Sequence, residues 1–441
     1  MTAASLPGGA SARARASSDV SAGTLAPRNE RRRVLYVDYS VGFGGAVKSL
    51  ALTLRRLPDV DKYILTSQDD EIVRRWFPGM RVFSFRTLVN YRTKDRVAGR
   101  VSNPQLKRLT LKLFALADAA VTAANVVRIR WLITHQRIGL VHLNNGFTPP
   151  EAMIAARAAN VPVVVHLRDF HSDPSRLQSA AARAVACVIT VSASVGESLK
   201  GTPVDDTFRT TIHDPVDLEA LRRSAPARQR VRAECALADA DVAIGIFGRV
   251  ISWKGQLDFV RAIIPILRDS ARVRAIIVGD ESDGTSEYIA EVRRAIASSG
   301  VASRFVLTGY KADVEDYYAA MDIVVHASTT PEPFGMVVPE AMASGRAVIA
   351  IDAGGPREVV TDGVDGLLVP AGDIDGLTNA MRRLVSDADL RARLSEAGAR
   401  TASARFTIEA SAAKIAGVYD AVVANEPARQ AARSIASRSS R

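Results

Sequence analysis

Short β-branched runs recur along this chain, and most precede a stretch whose apolar positions return every three or four residues. RVLYVDYS (33–40), KYILTS (62–67), LVHLNN (140–145), VPVVVHLR (161–168) and CVITVS (187–192) read as strands, with AVKSLALTLRRL and PEAMIAARAAN as helices among them. The second half repeats the theme with VAIGIFGR (242–249), VRAIIVGD (273–280), RFVLTGY (304–310), DIVVHAS (322–328), AVIAID (347–352) and GLLV (366–369). Strands alternating with helices predict parallel sheets covered on both faces. The expectation is therefore α/β, with two doubly wound units: 33–218 and 219–404. They are divided near HDPVDLEALRRSAP (213–226), where proline and charge increase. A last helical pattern, IEASAAKIAGVYDAVVA (408–424), precedes an Arg-Ser tail at 425–441. No short-period repeat is present, which argues against a solenoid.

A chain of 441 residues suits two domains rather than one core, and 47% hydrophobic with 24% charged residues is ordinary for a globular protein. No apolar run reaches the roughly 18 residues of a membrane span. LFALADAAVTAANVV carries Asp118 and Asn125 and reads as a packed or interfacial helix. The first 32 residues lack the apolar stretch of a secretory signal; their Ala, Ser and Arg fit a disordered basic tail or a transit peptide. Cys187 and Cys235 show no ligand or redox spacing, which fits burial in a reducing compartment.

The net charge of +11 is unevenly placed. Residues 1–33 carry +4, residues 426–441 carry +3 and residues 81–112 carry +8, leaving −4 for the rest. Two tails and one patch do not make a continuous duplex-binding groove, so a nucleic-acid partner is not expected. The 81–112 patch reads as a contact for an anionic membrane surface or as a solvated basic face.

In open parallel sheets, ligands bind beyond the carboxyl ends of the strands, and three segments stand there. YSVGFGGAVKSL (39–50) places Gly42, Gly44 and Gly45 before a helix whose first amides face outward. It is not the dinucleotide fingerprint, because Val47 occupies the third glycine position. IGIFGRVISWKGQ (244–256) ends a strand at Gly248 and presents Arg249 and Lys254, a fork and a point charge suited to a diphosphate. DIVVHASTTPEPFGMVVPEAMASG (322–345) sets Glu332 before a helix and Glu340 on it, with Gly335 between them. Carboxylates that accept from sugar hydroxyls, flanking amides that hold phosphate, fit a sugar nucleotide.

GRVISWKG, PEPFGMVVPE and IDAGGPREVVTDGVDGLLVP together resemble family 4 of the retaining glycosyltransferases, which have the GT-B architecture. The resemblance covers residues 33–424. It implies a nucleotide-diphosphate-sugar donor, a carbohydrate or lipid-linked acceptor and no metal or other cofactor. It also implies that Arg249 and Lys254 bind the diphosphate, that Glu332 contacts the transferred sugar and that Glu340 contacts the ribose. Amides of Phe334, Gly335 and Met336 would line sugar and phosphates, Tyr310 would lie near the base, and Gly44 and Gly45 would approach from the first domain. The last helix, within 405–424, would cross back to complete that domain. The family's usual His-Asp position reads Arg168-Asp169 here, so Arg168 is assigned to charge stabilisation and not to base chemistry. His166 is placed on the opposite face of that strand, and His171 in the loop beyond it. Asp239 and Asp241 precede their strand and sit at the wrong end of the sheet for a metal in the cleft; Asp373-Ile-Asp375 reads as a helix cap.

These readings converge on a retaining, metal-independent glycosyltransferase, cytoplasmic, with peripheral membrane association on the cytoplasmic face and an envelope polysaccharide or lipid-linked glycan as acceptor. A nucleotide-sugar-binding protein impaired in catalysis is the alternative, motivated by Arg168. A nicotinamide oxidoreductase is a third reading, opposed by the missing glycine.

Overall fold

The computed structural model describes residues 32–40, 44–84, 103–171, 178, 181–182, 185–205, 207–222, 225–282 and 284–424. Both basic tails, Gly42 and most of the basic patch at 81–112 lie outside these residues.

The first half forms a seven-stranded parallel sheet of β1 (Arg32–Asp38), β2 (Val60–Thr66), β3 (Arg81–Ser84), β4 (Leu140–Leu143), β5 (Val163–Leu167), β6 (Val185–Thr190) and β7 (Arg209–Thr211), in the order β3-β2-β1-β4-β5-β6-β7. The second half forms a six-stranded parallel sheet of β8 (Val242–Phe247), β9 (Val273–Val278), β10 (Phe305–Gly309), β11 (Ile323–Val325), β12 (Ala347–Ile351) and β13 (Leu367–Val369), in the order β10-β9-β8-β11-β12-β13. Each order reverses after its first strand, so the crevice opens between β1 and β4 and between β8 and β11. Central strands such as VVVHL in β5 are buried along their whole length, which explains their near-continuous apolar sequence. The edge strands β3 and β7 went unpredicted. They are three or four residues long and largely exposed, so no buried face imprints a pattern on them.

Residues from Arg32 onward belong to one compact unit. One apolar cluster runs through both halves, joining Leu35, Val141 and Val165 to Val324, Val338 and Val348. The last helix, Ile408–Ala424, follows the second sheet in sequence but packs with the first: Ala412, Ile415, Val418 and Tyr419 share a cluster with Val34, Val47, Leu50 and Ile64. Its Tyr419 hydroxyl lies 2.7 Å from Nδ1 of His142.

Candidate functional site

The crevice holds a cavity of about 590 Å³ whose walls come from both halves. Gly44, Gly45 and Lys48 enter from the turn after β1 and the Gly45–Arg56 helix; Gly248 and Arg249 follow β8, and Tyr310 follows β10. Met336 and Glu340 complete the wall from the Val337–Ala343 helix and its cap. Gly44 caps the Gly45–Arg56 helix in an extended conformation without a side-chain bond to the first turn.

Lys254 and Glu332 meet inside the second half. Lys254 ends a 3₁₀ turn, Ser252–Lys254, and its Nζ lies 2.7 Å from Glu332 Oε1 and over the Trp253 ring. The turn closes at Gly255, where φ is +75° and a Cβ would collide with the Ala327 carbonyl, so only glycine fits. His326 Nε2 lies 2.8 Å from the same Glu332 oxygen, and the Ser328 hydroxyl donates to it as well. Burial alone would raise the Glu332 carboxyl, but His326 and Lys254 outweigh it and hold the group well below the usual carboxylate range. Glu332 is therefore a fixed anion. Its carbonyl accepts from the Gly355 amide at 2.8 Å, anchoring the loop to the Gly354–Val359 helix. At Gly335, φ is +76° and a Cβ would lie 2.8 Å from Pro356, so the loop tolerates no side chain there. The Phe334 side chain turns away into the packing, stacked on His213 at 5.5 Å.

Glu340 is satisfied differently. Its Oε1 accepts from Lys48 Nζ at 2.9 Å, and its Oε2 accepts from the Tyr318 hydroxyl at 3.0 Å. Lys48 also reaches Glu315 at 3.2 Å. Burial would depress the Lys48 ammonium, but Glu340 and Glu315 more than reverse this and hold it above the usual lysine range. One cation from the first half thus neutralises two anions of the second. Glu358 makes a second bridge, accepting from the amides of Ala193 and Ser194 at 2.9 and 2.8 Å.

Of the residues singled out in the sequence, Gly44, Gly45, Arg249, Tyr310, Met336 and Glu340 line this one cavity. Lys254 and Glu332 pair beside it. A second cavity of about 600 Å³ lies against Asp169, Phe170, Trp253, Thr330, Pro331 and Pro333. Segments 249–254 and 331–336 therefore contribute to both cavities, and each carries one member of the Lys254–Glu332 pair.

Arg168 lines neither cavity. Its side chain is 6% exposed, donates to Asn144 Oδ1 at 3.0 Å and Ser49 Oγ at 2.9 Å, and pairs with Asp214. Its NH2 lies 3.2 Å from His166 Nδ1, so His166 does not turn to the opposite face. The side-chain period of a strand is two, which puts residues 166 and 168 on one side. Burial, with Arg168 and His142 nearby, holds His166 well below its ordinary value; burial and Arg168 push His142 down to about 3. Both rings are neutral, and their Nε2 atoms are buried without partners. His171 lies beyond the strand, its ring 5.1 Å from Phe147. Asp241 accepts from Ala238 and pairs with Arg274 at the entry of β8, away from the crevice, and Asp373 caps the Ile374–Ser386 helix through the Gly376 amide. Lys48 escaped sequence reasoning, because its partners stand 267 and 292 positions away and no local pattern marks it.

Residues 241–387 match the family model described as glycosyl transferases group 1. The chain is 33% identical over 182 residues to the lipopolysaccharide core biosynthesis mannosyltransferase LpsB of Rhizobium meliloti, a match covering 41% of this chain and 52% of that protein. It is 36% identical over 169 residues to a GDP-mannose-dependent alpha-mannosyltransferase of Mycobacterium tuberculosis, covering 38% and 41%. The chain thus spans about half the length of the curated relatives it matches. Among solved structures, Anabaena Alr3699/HepE in complex with UDP superposes with a TM-score of 0.71 at 25% identity, covering 88% of this chain and 100% of that one. A glycosyltransferase of Rickettsia africae superposes with a TM-score of 0.75 at 18% identity, covering 90% and 99%. The chain therefore has the GT-B fold, and its second half carries the sequence pattern of group 1 glycosyl transferases.

Proposed function

We propose that this protein is a retaining glycosyltransferase that moves a sugar from a nucleotide-diphosphate donor to a carbohydrate or lipid-linked glycan, without a metal. The cavity that brings Gly44 and Gly45 of one half to face Arg249 and Glu340 of the other carries the reading. Its support is the match over 241–387 and the relatives named as mannosyltransferases; HepE, whose solved complexes contain UDP and UDP-glucose, adds to it.

Arg249 and Lys254 receive the diphosphate and stabilise the charge that grows as it departs. Glu332, held ionised, accepts hydrogen bonds from sugar hydroxyls and fixes the ring; a carboxylate so acidic is a poor proton acceptor and is not the base. Glu340 accepts from the ribose diol, with Lys48 keeping the pair of carboxylates at 315 and 340 from repelling an anionic donor. The acceptor occupies the second cavity beside Asp169 and Trp253. The sugar C1–phosphate oxygen bond breaks, the bond from C1 to the acceptor oxygen forms on the same face, and the acceptor proton passes to the departing phosphate oxygen. Positioning and pre-placed charge supply the acceleration.

A panel of nucleotide sugars scored by released nucleoside diphosphate, with and without chelator, tests this reading. Release from one donor, preserved in chelator and lost in Arg249→Ala with the fold intact, supports it. Full turnover in both Arg249→Ala and Lys254→Ala sinks it.

A further inference from the structure

The Pro104–His135 helix is 32 residues long and has an Asn103 cap whose side chain accepts from the Gln105 and Leu106 amides. Near its C-terminus it docks through Asn125, Ile129, Leu132 and Ile133, all buried. Opposite them runs an apolar stripe. Leu106, Leu109, Leu113, Leu116, Val127 and Trp131 fall within an arc of roughly 80° at 100° per residue, over a length of about 38 Å. All six are exposed, from 54% at Leu109 to 70% at Val127. Among the described residues, seven of the twelve large exposed apolar side chains belong to this helix; the seventh, Leu111, sits off the stripe. Single exposed leucines need no explanation, but six large apolar side chains on one face, joined between Leu116 and Val127 by the exposed Ala120 and Ala124, do.

Charge identifies what covers it. Arg108, Lys112 and Arg130 run along one border of the stripe, Arg128 and Lys107 lie on the other side, and all five are exposed. Asp118 is the helix's one acidic residue. A second copy laid along this row would bring the five cations against their own kind. A bilayer with anionic headgroups would bring opposite charge to the borders and acyl chains to the stripe. We infer that this helix lies in the plane of an anionic membrane, Leu106 to Trp131 facing the acyl region and the flanking Arg and Lys among the headgroups. By length and composition the helix could also cross a bilayer. Crossing would carry Lys112 and Asp118 into hydrocarbon and strip the buried face from the fold, whereas lying flat does neither. The first sheet is thereby held at the surface. The inference concerns the helix alone and stands or falls apart from the donor chemistry.

Vesicle co-sedimentation of the full chain tests it, using phosphatidylcholine vesicles with and without phosphatidylglycerol and no sugar nucleotide. The expected result is binding to the anionic vesicles, weakened at least about 30-fold in Leu109→Glu/Leu116→Glu. Lys107→Gln/Arg108→Gln/Lys112→Gln should weaken it by roughly 100-fold at low salt, with little change on neutral vesicles. Circular dichroism and melting confirm that each variant folds. Binding that ignores the two glutamates, or a wild-type dimer in light scattering that they disperse, overturns the inference.

Discussion

The two walls of the crevice use polar residues in opposite ways. On the second-half wall, Lys254, Glu332 and His326 sit in a loop-borne cluster whose sequence neighbours line both cavities, each charge matched inside the same half. On the first-half wall, the charged residues at the strand ends turn inward. Asp38 accepts from Asn144, Asn144 accepts from Arg168, and Arg168 pairs with Asp214, which accepts from Ser49. That chain is buried scaffolding. What the first half shows the crevice is a glycine turn and three cations, Lys48, Arg55 and Arg75, of which Lys48 bridges to the carboxylates of the other wall. The contrast teaches that residues at comparable topological positions border the cavities in one sheet and hold strand ends together in the other.

The sharpest way to break the contrast is Lys254→Ala. It removes the proposed diphosphate contact and leaves Glu332 with less compensation, so transfer should fall by about 10³-fold, with a stability loss of about 3 kcal/mol. Nucleoside-diphosphate release and chemical denaturation measure the two; Lys254→Ala/Glu332→Gln should recover stability but not activity. Arg168→Leu should do the reverse. It strands a buried Asp214, costing about 3 kcal/mol, while the donor KM of the folded fraction stays within about threefold. A donor KM that rises as steeply as in Lys254→Ala would move Arg168 into the donor site.

Acid offers a smaller, graded probe of the same wall. His142 and His166 are neutral in the fold, with His142 pushed down to about 3 and His166 well below its ordinary value, whereas the unfolded chain protonates near pH 6.5. The unfolded state therefore binds more protons as pH falls. Stability should be level above about pH 7 and drop by about 1.4 kcal/mol per unit for each ring between roughly pH 6 and 5, before carboxylates add to the loss. Urea titrations across that window check it, and His142→Leu should halve the slope.

Lys48→Met should give the mildest effect. It leaves Glu315 and Glu340 facing an anionic donor with no cation between them, raising donor KM roughly five- to tenfold with kcat nearly unchanged. Steady-state kinetics at two salt concentrations would show this, and an improved KM would mean that Lys48 blocks the ribose position.

Much of this was legible in the residues. VVVHL, VAIGIF and AVIAI are buried strands whose sequences are apolar because both faces are covered, and the turns that follow several of the central strands carry the crevice residues. Glu332, Lys254 and Gly335 were visible because strand ends, a proline-stiffened loop and a helix start place them by local geometry. The surroundings of Arg168 were not legible, for the opposite reason. Its chemistry depends on Ser49 and Asp214, 119 and 46 positions away, and a strand sequence does not say whether its last side chain meets solvent, ligand or protein.

By itself, then, the sequence determined two parallel α/β units and the loops at their strand ends, because backbone periodicity, glycine conformation and burial act within a few residues. Only the tertiary structure decided which charges meet. Whether Glu340 faces Lys48, whether Arg168 is buried, and whether the leucine row of the long helix stays uncovered depend on contacts between distant segments. Those contacts exist only once both sheets and the returning C-terminal helix have packed.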